Sequence, residues 1–204
     1  IQNNLYQITC VDEKTTAPQV ALTKTRGTVI ARAIIAMCES IRIKSGNAPK
    51  SFTIDRGGEL FNTKVRDYFK SKTGNEPCCS NTERPWENGL AEKMQGTIWN
   101  CARADLKFAA LPYTFWGPAV LNAADVLLHR PCKRLKGKLP MHFITGKPPD
   151  LSILRVFGCP VQVLIRPRER VHKKLGRSGD ATCLCNLGEA GSPHEKISCF
   201  VLWV

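Results

Sequence analysis

The segment FTIDRGGELFN, residues 52–62, reads as a short strand that ends abruptly in a polar turn. Its side chains alternate, so that Thr53 and Asp55 share the face opposite to the apolar residues. An arginine and two glycines follow Asp55 directly, which is typical of a turn. An aspartate at the carboxyl end of a strand, beside a glycine turn, can hold a metal ion, but it can also be an ordinary turn residue.

Strands and helices alternate on both sides of this segment. Before it, residues 5–11 read as a strand, residues 18–24 as its hairpin partner and residues 28–44 as a helix. After it, helices are predicted at about residues 62–74, 88–105 and 112–128. The last helix is expected to bury Phe115, Ala119, Ala123, Val126 and Leu127. This order predicts an α/β domain in which a mixed sheet is flanked by helices.

The amino-acid composition of the chain changes after this helix. Residues 131–151 are rich in Pro, Gly and Lys, which suits a basic linker. Residues 154–165 then read as paired short strands and residues 197–204 as a last strand. The predicted organisation is therefore a core at residues 1–130, the linker, and a small β-barrel module at residues 152–204.

The positive charge of the chain is concentrated in its second half. The 204 residues carry a formal net charge of +13. From Arg130 to Arg177 there are 13 Lys and Arg residues against two acids, whereas the rest of the chain holds 17 basic and 15 acidic residues. A basic block beside a nearly neutral domain predicts a polyanionic partner such as nucleic acid. The alternative is a solvated basic segment without a partner.

Ten cysteines are present, but none are spaced as CxxC, so neither a zinc ribbon nor a thioredoxin-type site is indicated. The sequence shows no signal-peptide pattern and no apolar run of about 18 residues, which predicts an intracellular protein with reduced thiols and no membrane partner. One further alternative is a zinc-dependent interaction module, although its ligand spacing fits no standard finger. Its candidate ligands are Cys183, Cys185, His194 and Cys199.

Glu92 lies early in the helix predicted at residues 88–105, away from its apolar stripe. Leu90, Met94, Ile98 and Cys101 make that stripe, and Glu92 lies about 200° around the helix from Leu90. It shares its face with Gln95, Gly96, Trp99 and Arg103. Acids are favourable in any first helical turn, so Glu92 alone is weak evidence of function.

Asp55 and Glu92 carry more weight as a pair. Thirty-six residues separate them, and they belong to different predicted elements. Nucleotidyl transfer by two divalent ions needs carboxylates from separate elements that converge on the metals. Magnesium prefers hard oxygen ligands of this type. The pair therefore predicts a magnesium or manganese site.

Four segments in sequence resemble the Pol polyproteins of copia-type LTR retrotransposons. The first three, residues 54–62, 85–98 and 111–131, resemble the integrase core, and residues 146–159 resemble the SH3-like module that follows it. The resemblance implies an RNase H-like fold and a DDE-type polynucleotidyl transferase that uses Mg²⁺ or Mn²⁺. It also implies DNA ends and target DNA as partners, a homo-oligomeric state and a nuclear location.

Carried over residue by residue, the resemblance gives roles to the candidate site. Asp55 matches the second catalytic and metal-binding carboxylate of the family, and Glu92 matches the third. Asn88 and Gly89 match the Asn-Gly that precedes this glutamate and set the junction that aims it.

The first catalytic aspartate of the family has no match. It belongs to a strand before the segment that residues 5–25 resemble, so the chain is expected to be truncated at its N-terminus and inactive alone. Asp12 matches a different family acid, one strand later, and stays open as a substitute ligand. The alternative function is a noncatalytic nucleic-acid-binding relic that keeps the basic surface.

Several cations are candidates for contacts with the nucleic-acid backbone, since phosphate contacts dominate such binding. The alternative is that they are ordinary solvated surface residues. The candidates are Lys64, Lys93 and Arg103 on the core, and Arg166, Arg168, Arg170, Lys173 and Lys174 in the β module.

Overall fold

The structure is a computed structural model that describes residues 6–47, 49–54, 63–74, 76–79, 89–162, 182–185 and 199–201. The helices are α1 (Thr28–Ser45), α2 (Thr63–Thr73), α3 (Gly89–Phe108), α4 (Trp116–Leu128) and α5 (Pro140–Thr145). The strands are β1 (Tyr6–Val11), β2 (Pro18–Thr23), β3 (Thr53–Ile54), β4 (Cys78–Cys79), β5 (Pro160–Gln162), β6 (Thr182–Cys185) and β7 (Cys199–Val201). Short 3₁₀ turns lie at Tyr113–Phe115, Lys133–Leu135 and Leu151–Ile153.

The predicted hairpin is confirmed. Strands β1 and β2 pair antiparallel, from Tyr6 opposite Thr23 to Val11 opposite Pro18. Because side chains alternate along a strand, the hairpin can serve two helical layers at once. Ala21 packs against α1 and α2, whereas its neighbour Val20 packs against α3 and α4.

Each helical layer has its own hydrophobic cluster. In the α1–α2 cluster the buried residues are Ile30, Ala31, Ile34, Met37, Cys38, Val65 and Phe69. In the α3–α4 cluster they are Ile98, Ala102, Leu106, Phe115, Ala119, Val120, Ala123, Leu127 and Phe157. The hairpin therefore forms a middle layer between two helical layers, as expected for an α/β domain.

The helices follow the predicted periodicity with one error. Helix α1 ends at Gly46, which adopts the left-handed conformation that only glycine enters without strain. In α4 the predicted core residues are buried except Val126, which is 39% exposed. That prediction was wrong because Val126 lies at the edge of the apolar stripe, whereas Ala123 and Leu127 define its centre.

Strand β3 is confirmed, but its partner was not predicted. Thr53 pairs with Cys78 and Ile54 with Cys79 in a parallel arrangement. A strand of two residues carries no alternating pattern that a sequence could reveal. Among the described residues, the mixed sheet is thus present as two separate pairs, one antiparallel and one parallel.

The C-terminal strands form a three-stranded antiparallel sheet in the order β5-β6-β7. Residues 154–165 were expected to supply paired strands, but the described strand there, β5, pairs with β6. The predicted SH3-like barrel is not shown by these strands. Within the segment predicted as a linker, α5 packs against α1 and α4.

Candidate metal and nucleic-acid site

Glu92 stands exposed in the first turn of α3. Ile98, Ala102 and Leu106 of the same helix are buried against α4, and this packing turns the Glu92 side toward solvent. An acidic residue in the first turn also stabilises the helix, because the peptide dipoles leave partial positive charge at its N-terminus. Glu92 makes no hydrogen bond or ion pair with any other residue that the structure describes.

Gly96 lies one turn further along α3 than Glu92. Among the described residues, apart from the backbone of α3 itself, no atom lies within 4 Å of the position where a Gly96 Cβ would stand. A carboxylate oxygen is a hard ligand, so Glu92 fits a divalent ion such as magnesium in donor chemistry. One carboxylate is too few to hold the ion, so a partner ligand is needed.

The aromatic residue on the Glu92 side of α3 is engaged in packing. The rings of Trp99 and Trp116 stack with centroids 5.6 Å apart and an angle of 22° between their planes. Both residues pack against the α3–α4 cluster. The stacked pair therefore fixes α3 on α4.

A polar contact also joins these two helices. The Nδ2 atom of Asn122 on α4 donates a hydrogen bond to Oδ2 of Asp105 on α3 at 2.9 Å. Burial raises the pKa of the Asp105 carboxyl above its usual value, and this hydrogen bond partly offsets the rise. The contact holds the helix that carries Glu92.

Two predicted site residues, Asp55 and Asn88, lie outside the described residues. The described part of strand β3 ends at Ile54, the residue before Asp55 in the sequence. Gly89 is the first residue of α3. The convergence of Asp55 and Glu92 stays a prediction.

Asp12 is held in the turn of the β1–β2 hairpin. Its Oδ2 atom accepts hydrogen bonds from the Thr15 backbone nitrogen at 2.8 Å and from the Thr15 hydroxyl at 2.5 Å. An aspartate that bonds its own backbone in this way is an ordinary turn residue. Among the described residues, no group of three His, Cys, Asp or Glu side chains could hold a metal ion.

Three of the predicted phosphate contacts are described, and all three side chains are exposed. Lys64 lies in the first turn of α2, whereas Lys93 and Arg103 lie on α3. Arg103 donates a hydrogen bond to Oδ1 of Asn100 at 2.5 Å, which holds its guanidinium along the helix. Lys107 is exposed on the same side of α3 and was missed, although its spacing from Arg103 and Lys93 is helical.

The remaining predicted cations lie outside the described residues. They are Arg166, Arg168, Arg170, Lys173 and Lys174.

The zinc-dependent module stays a prediction. The register of the C-terminal sheet sets Cys185 opposite Cys199, with Cys183 two residues away. His194 lies outside the described residues, and no three-ligand group is found in the part of the chain that is described.

No described helix is long and apolar enough to cross a membrane.

Comparisons with known proteins agree with the resemblance. The Retrovirus-related Pol polyprotein from transposon TNT 1-94 of Nicotiana tabacum is 31% identical over 159 residues, which are 76% of this chain and 12% of that protein. The Retrovirus-related Pol polyprotein from transposon RE2 of Arabidopsis thaliana is 34% identical over 125 residues, 61% of this chain and 8% of that protein. The chain thus spans only a small part of these relatives. No protein-family model matches it.

The fold was compared with those of solved structures. A chain of the simian T-cell lymphotropic virus intasome in complex with PP2A regulatory subunit B56 gamma aligns with a TM-score of 0.55 and 12% identity, over 85% of this chain and 59% of that chain. The HTLV-2 integrase catalytic core domain in complex with magnesium aligns at a TM-score of 0.48 and 20% identity over 65% of this chain and 80% of that chain, a likeness too weak to define a fold. The chain is thus a relative of retrovirus-related Pol polyproteins with the fold found in a retroviral intasome, as expected of a fragment of an integrase core.

Proposed function

We propose that this chain is part of a retrotransposon integrase that joins element DNA ends to target DNA by two-metal polynucleotidyl transfer. The observation that carries the proposal is the placement of Glu92, an exposed carboxylate in the first turn of a helix whose other side is packed in the core. The similarity to transposon Pol polyproteins supports the same function.

In this proposal Asp55 and Glu92 hold Mg²⁺ or Mn²⁺. A bound divalent ion supplies charge that stabilises the attacking and leaving oxygens of a phosphoryl group. Glu92 contributes a hard oxygen ligand, and Asn88 and Gly89 set the start of the helix that aims it. Lys64, Lys93, Arg103 and the missed Lys107 bind the phosphates of the DNA backbone and position the strand.

We infer that the 204 residues alone do not catalyse strand transfer. The resemblance matches only two of the three family carboxylates, and the Asp12 carboxylate is already bonded to Thr15. That engagement of Asp12 also favours the second candidate function, a noncatalytic nucleic-acid-binding protein. A salt-dependent affinity for DNA is expected in either case, because both use the cations.

For the domain organisation we propose the arrangement that the sequence predicts. Residues 1–130 form the RNase H-like core, residues 131–151 the basic linker and residues 152–204 an SH3-like module, of which the antiparallel sheet β5-β6-β7 is a part. DNA ends and target DNA are the partners, and the working form is a nuclear homo-oligomer.

Metal binding is tested first, without any need for turnover. Mn²⁺ is titrated into the ¹⁵N-labelled chain, and we expect paramagnetic broadening of amides in the first turn of α3 that disappears in Glu92→Gln and in Asp55→Asn. The matched control is Glu13→Gln, an exposed acid in the hairpin turn, which should keep the broadening. Broadening that survives both site variants would remove the metal site.

Catalysis is tested next, with a Mg²⁺-dependent nicking assay on labelled terminal-repeat DNA. The 204-residue chain should give no product. Clear turnover that is lost in Asp55→Asn would show instead that the chain is an active enzyme by itself.

A further inference from the structure

The far end of α3 carries two large, highly exposed aromatic side chains. Phe108, the last residue of the helix, is 79% exposed, and Tyr113, at the start of the following 3₁₀ turn, is 80% exposed. Neither ring stacks on another aromatic ring of the described residues. Single exposed apolar residues are common, but exposed apolar residues that form a contiguous patch mark a binding surface.

A tight turn joins these two residues. The chain folds back tightly between them, because the Leu111 backbone nitrogen bonds the Leu106 carbonyl at 3.0 Å. The segment with Val156, which is 60% exposed, lies against this turn, since a Cβ on Gly158 would stand 2.5 Å from the Ala109 Cβ. We call Phe108, Tyr113 and Val156 the aromatic platform.

The charges around the aromatic platform are positive. Lys107 and Arg155 are exposed and directly adjacent in sequence to Phe108 and Val156. The Arg155 guanidinium donates hydrogen bonds to the backbone carbonyls of Ser152 and Leu154, which fix it beside this segment. The neighbouring acid, Asp105, is half-buried and hydrogen-bonded to Asn122 of α4. An occupant of the platform must therefore offer negative charge together with flat or apolar groups.

The charge and shape of the aromatic platform distinguish between its possible occupants. A second copy of this chain docked through the same surface would bring its own Lys107 and Arg155 against this pair, so like charges oppose self-association through the platform. A folded peptide partner anchors its side chains in pockets, whereas the platform consists of protruding rings. A protruding ring presents a face on which a nucleobase can stack, and the adjacent cations match the phosphates.

We propose that the aromatic platform binds unpaired nucleotides of a single-stranded nucleic acid. Bases stack on Phe108 and Tyr113, and Lys107 and Arg155 contact the flanking phosphates. Phe108 lies 16 residues beyond Glu92 on the same helix, a distance of about 24 Å, so this site is separate from the proposed metal site. The proposal goes beyond the proposed function and needs no metal.

The test measures fluorescence anisotropy of a labelled oligo-dT strand and of a matched duplex, with EDTA present to exclude the metal site. Phe108→Ala and Tyr113→Ala should each weaken oligo-dT binding about tenfold, because each removes one stacking ring. Duplex binding should change little, because paired bases cannot stack on the platform. The control is Phe143→Ala, a 41% exposed aromatic on α5, which should leave both affinities unchanged.

A charge variant separates stacking from phosphate contact. Lys107→Ala should lower the slope of log affinity against log salt by about 0.7 for the single strand, whereas Phe108→Ala should keep the slope. Equal losses for oligo-dT and duplex, or no loss in either ring variant, would overturn the proposal. So would self-association or acidic-peptide binding that depends on Phe108 while oligo-dT binding does not.

Discussion

The two helical layers contact different parts of the candidate site. In the α1–α2 cluster, the ring of Phe69 on α2 stacks on Phe52, with centroids 4.8 Å apart and planes at 19°. Phe52 directly precedes β3, so this layer fixes the strand that comes before Asp55 in the sequence. The α3–α4 cluster fixes instead the helix that begins three residues before Glu92.

The clusters also differ in where their members come from along the chain. Every buried member of the α1–α2 cluster lies between residues 30 and 69. The α3–α4 cluster takes in Phe157, which lies beyond the segment predicted as a linker. The layer that contains Glu92 therefore depends on a contact between residues far apart in the sequence. The buried residues of the α1–α2 layer come instead from one stretch of the chain.

The largest expected effect is the loss of that remote contact. Phe157→Ala should lower the free energy of unfolding by about 3–5 kcal/mol, because it removes a buried ring and leaves a cavity in the α3–α4 cluster. Urea unfolding followed by tryptophan fluorescence measures it, since Trp99 and Trp116 pack on this cluster.

The matched control is Phe108→Ala, the same substitution at a 79% exposed ring. It should change the free energy of unfolding by no more than about 0.5 kcal/mol. Equal effects of the two variants would mean that Phe157 is not part of the core, and the contrast between the two layers would fail.

A smaller effect is expected next to Phe157, at Gly158. This glycine has a φ of +73°, and a Cβ there would lie 2.5 Å from the Ala109 Cβ. Gly158→Ala should therefore cost about 2–4 kcal/mol, from a strained left-handed backbone and from a steric clash. Thermal and urea unfolding measure the change.

A double variant sharpens this prediction. Ala109→Gly removes the clashing methyl group but not the backbone strain, so the Ala109→Gly/Gly158→Ala chain should recover about half of the lost stability. Strict additivity of the two single variants would show that Ala109 and Gly158 do not touch, and that the segment after the linker is not seated on the end of α3.

Periodicity explains why much of the fold could be predicted from sequence. The hairpin and the long helices repeat their apolar residues over many positions, and these elements are confirmed. Strand β4 has two residues and no pattern, and the contact of Phe157 with α3 and α4 joins distant segments, so neither could be read from local sequence.

The candidate site shows the same division. The exposure of Glu92 follows from the apolar stripe on the other side of α3, which the sequence displays. The role of Asp12 could not be predicted from the sequence, because an acid after a strand shows the same sequence pattern whether it binds a metal ion or a neighbouring residue. The hydrogen bond from Thr15 in the structure identifies it as a turn residue. Lys107 could have been found, since it repeats the helical spacing of Arg103.

The smallest expected effect concerns the turn that ends α3. The Ala110 nitrogen bonds the Lys107 carbonyl at 3.3 Å and the Leu111 nitrogen bonds Leu106, the pairing that closes many helices around a left-handed residue. Ala110 is that residue, with a φ of +52°, where an alanine is strained and a glycine is not.

Ala110→Gly should therefore raise the free energy of unfolding by about 0.5–1 kcal/mol, the relief of strain being partly offset by the greater freedom of glycine in the unfolded chain. Urea unfolding measures it, and Ala104→Gly is the control. Ala104 is an exposed residue inside α3, where the same change should instead cost about 1 kcal/mol. A loss of stability in both variants would mean that α3 continues past Phe108, and the turn that presents Phe108 and Tyr113 together would not form.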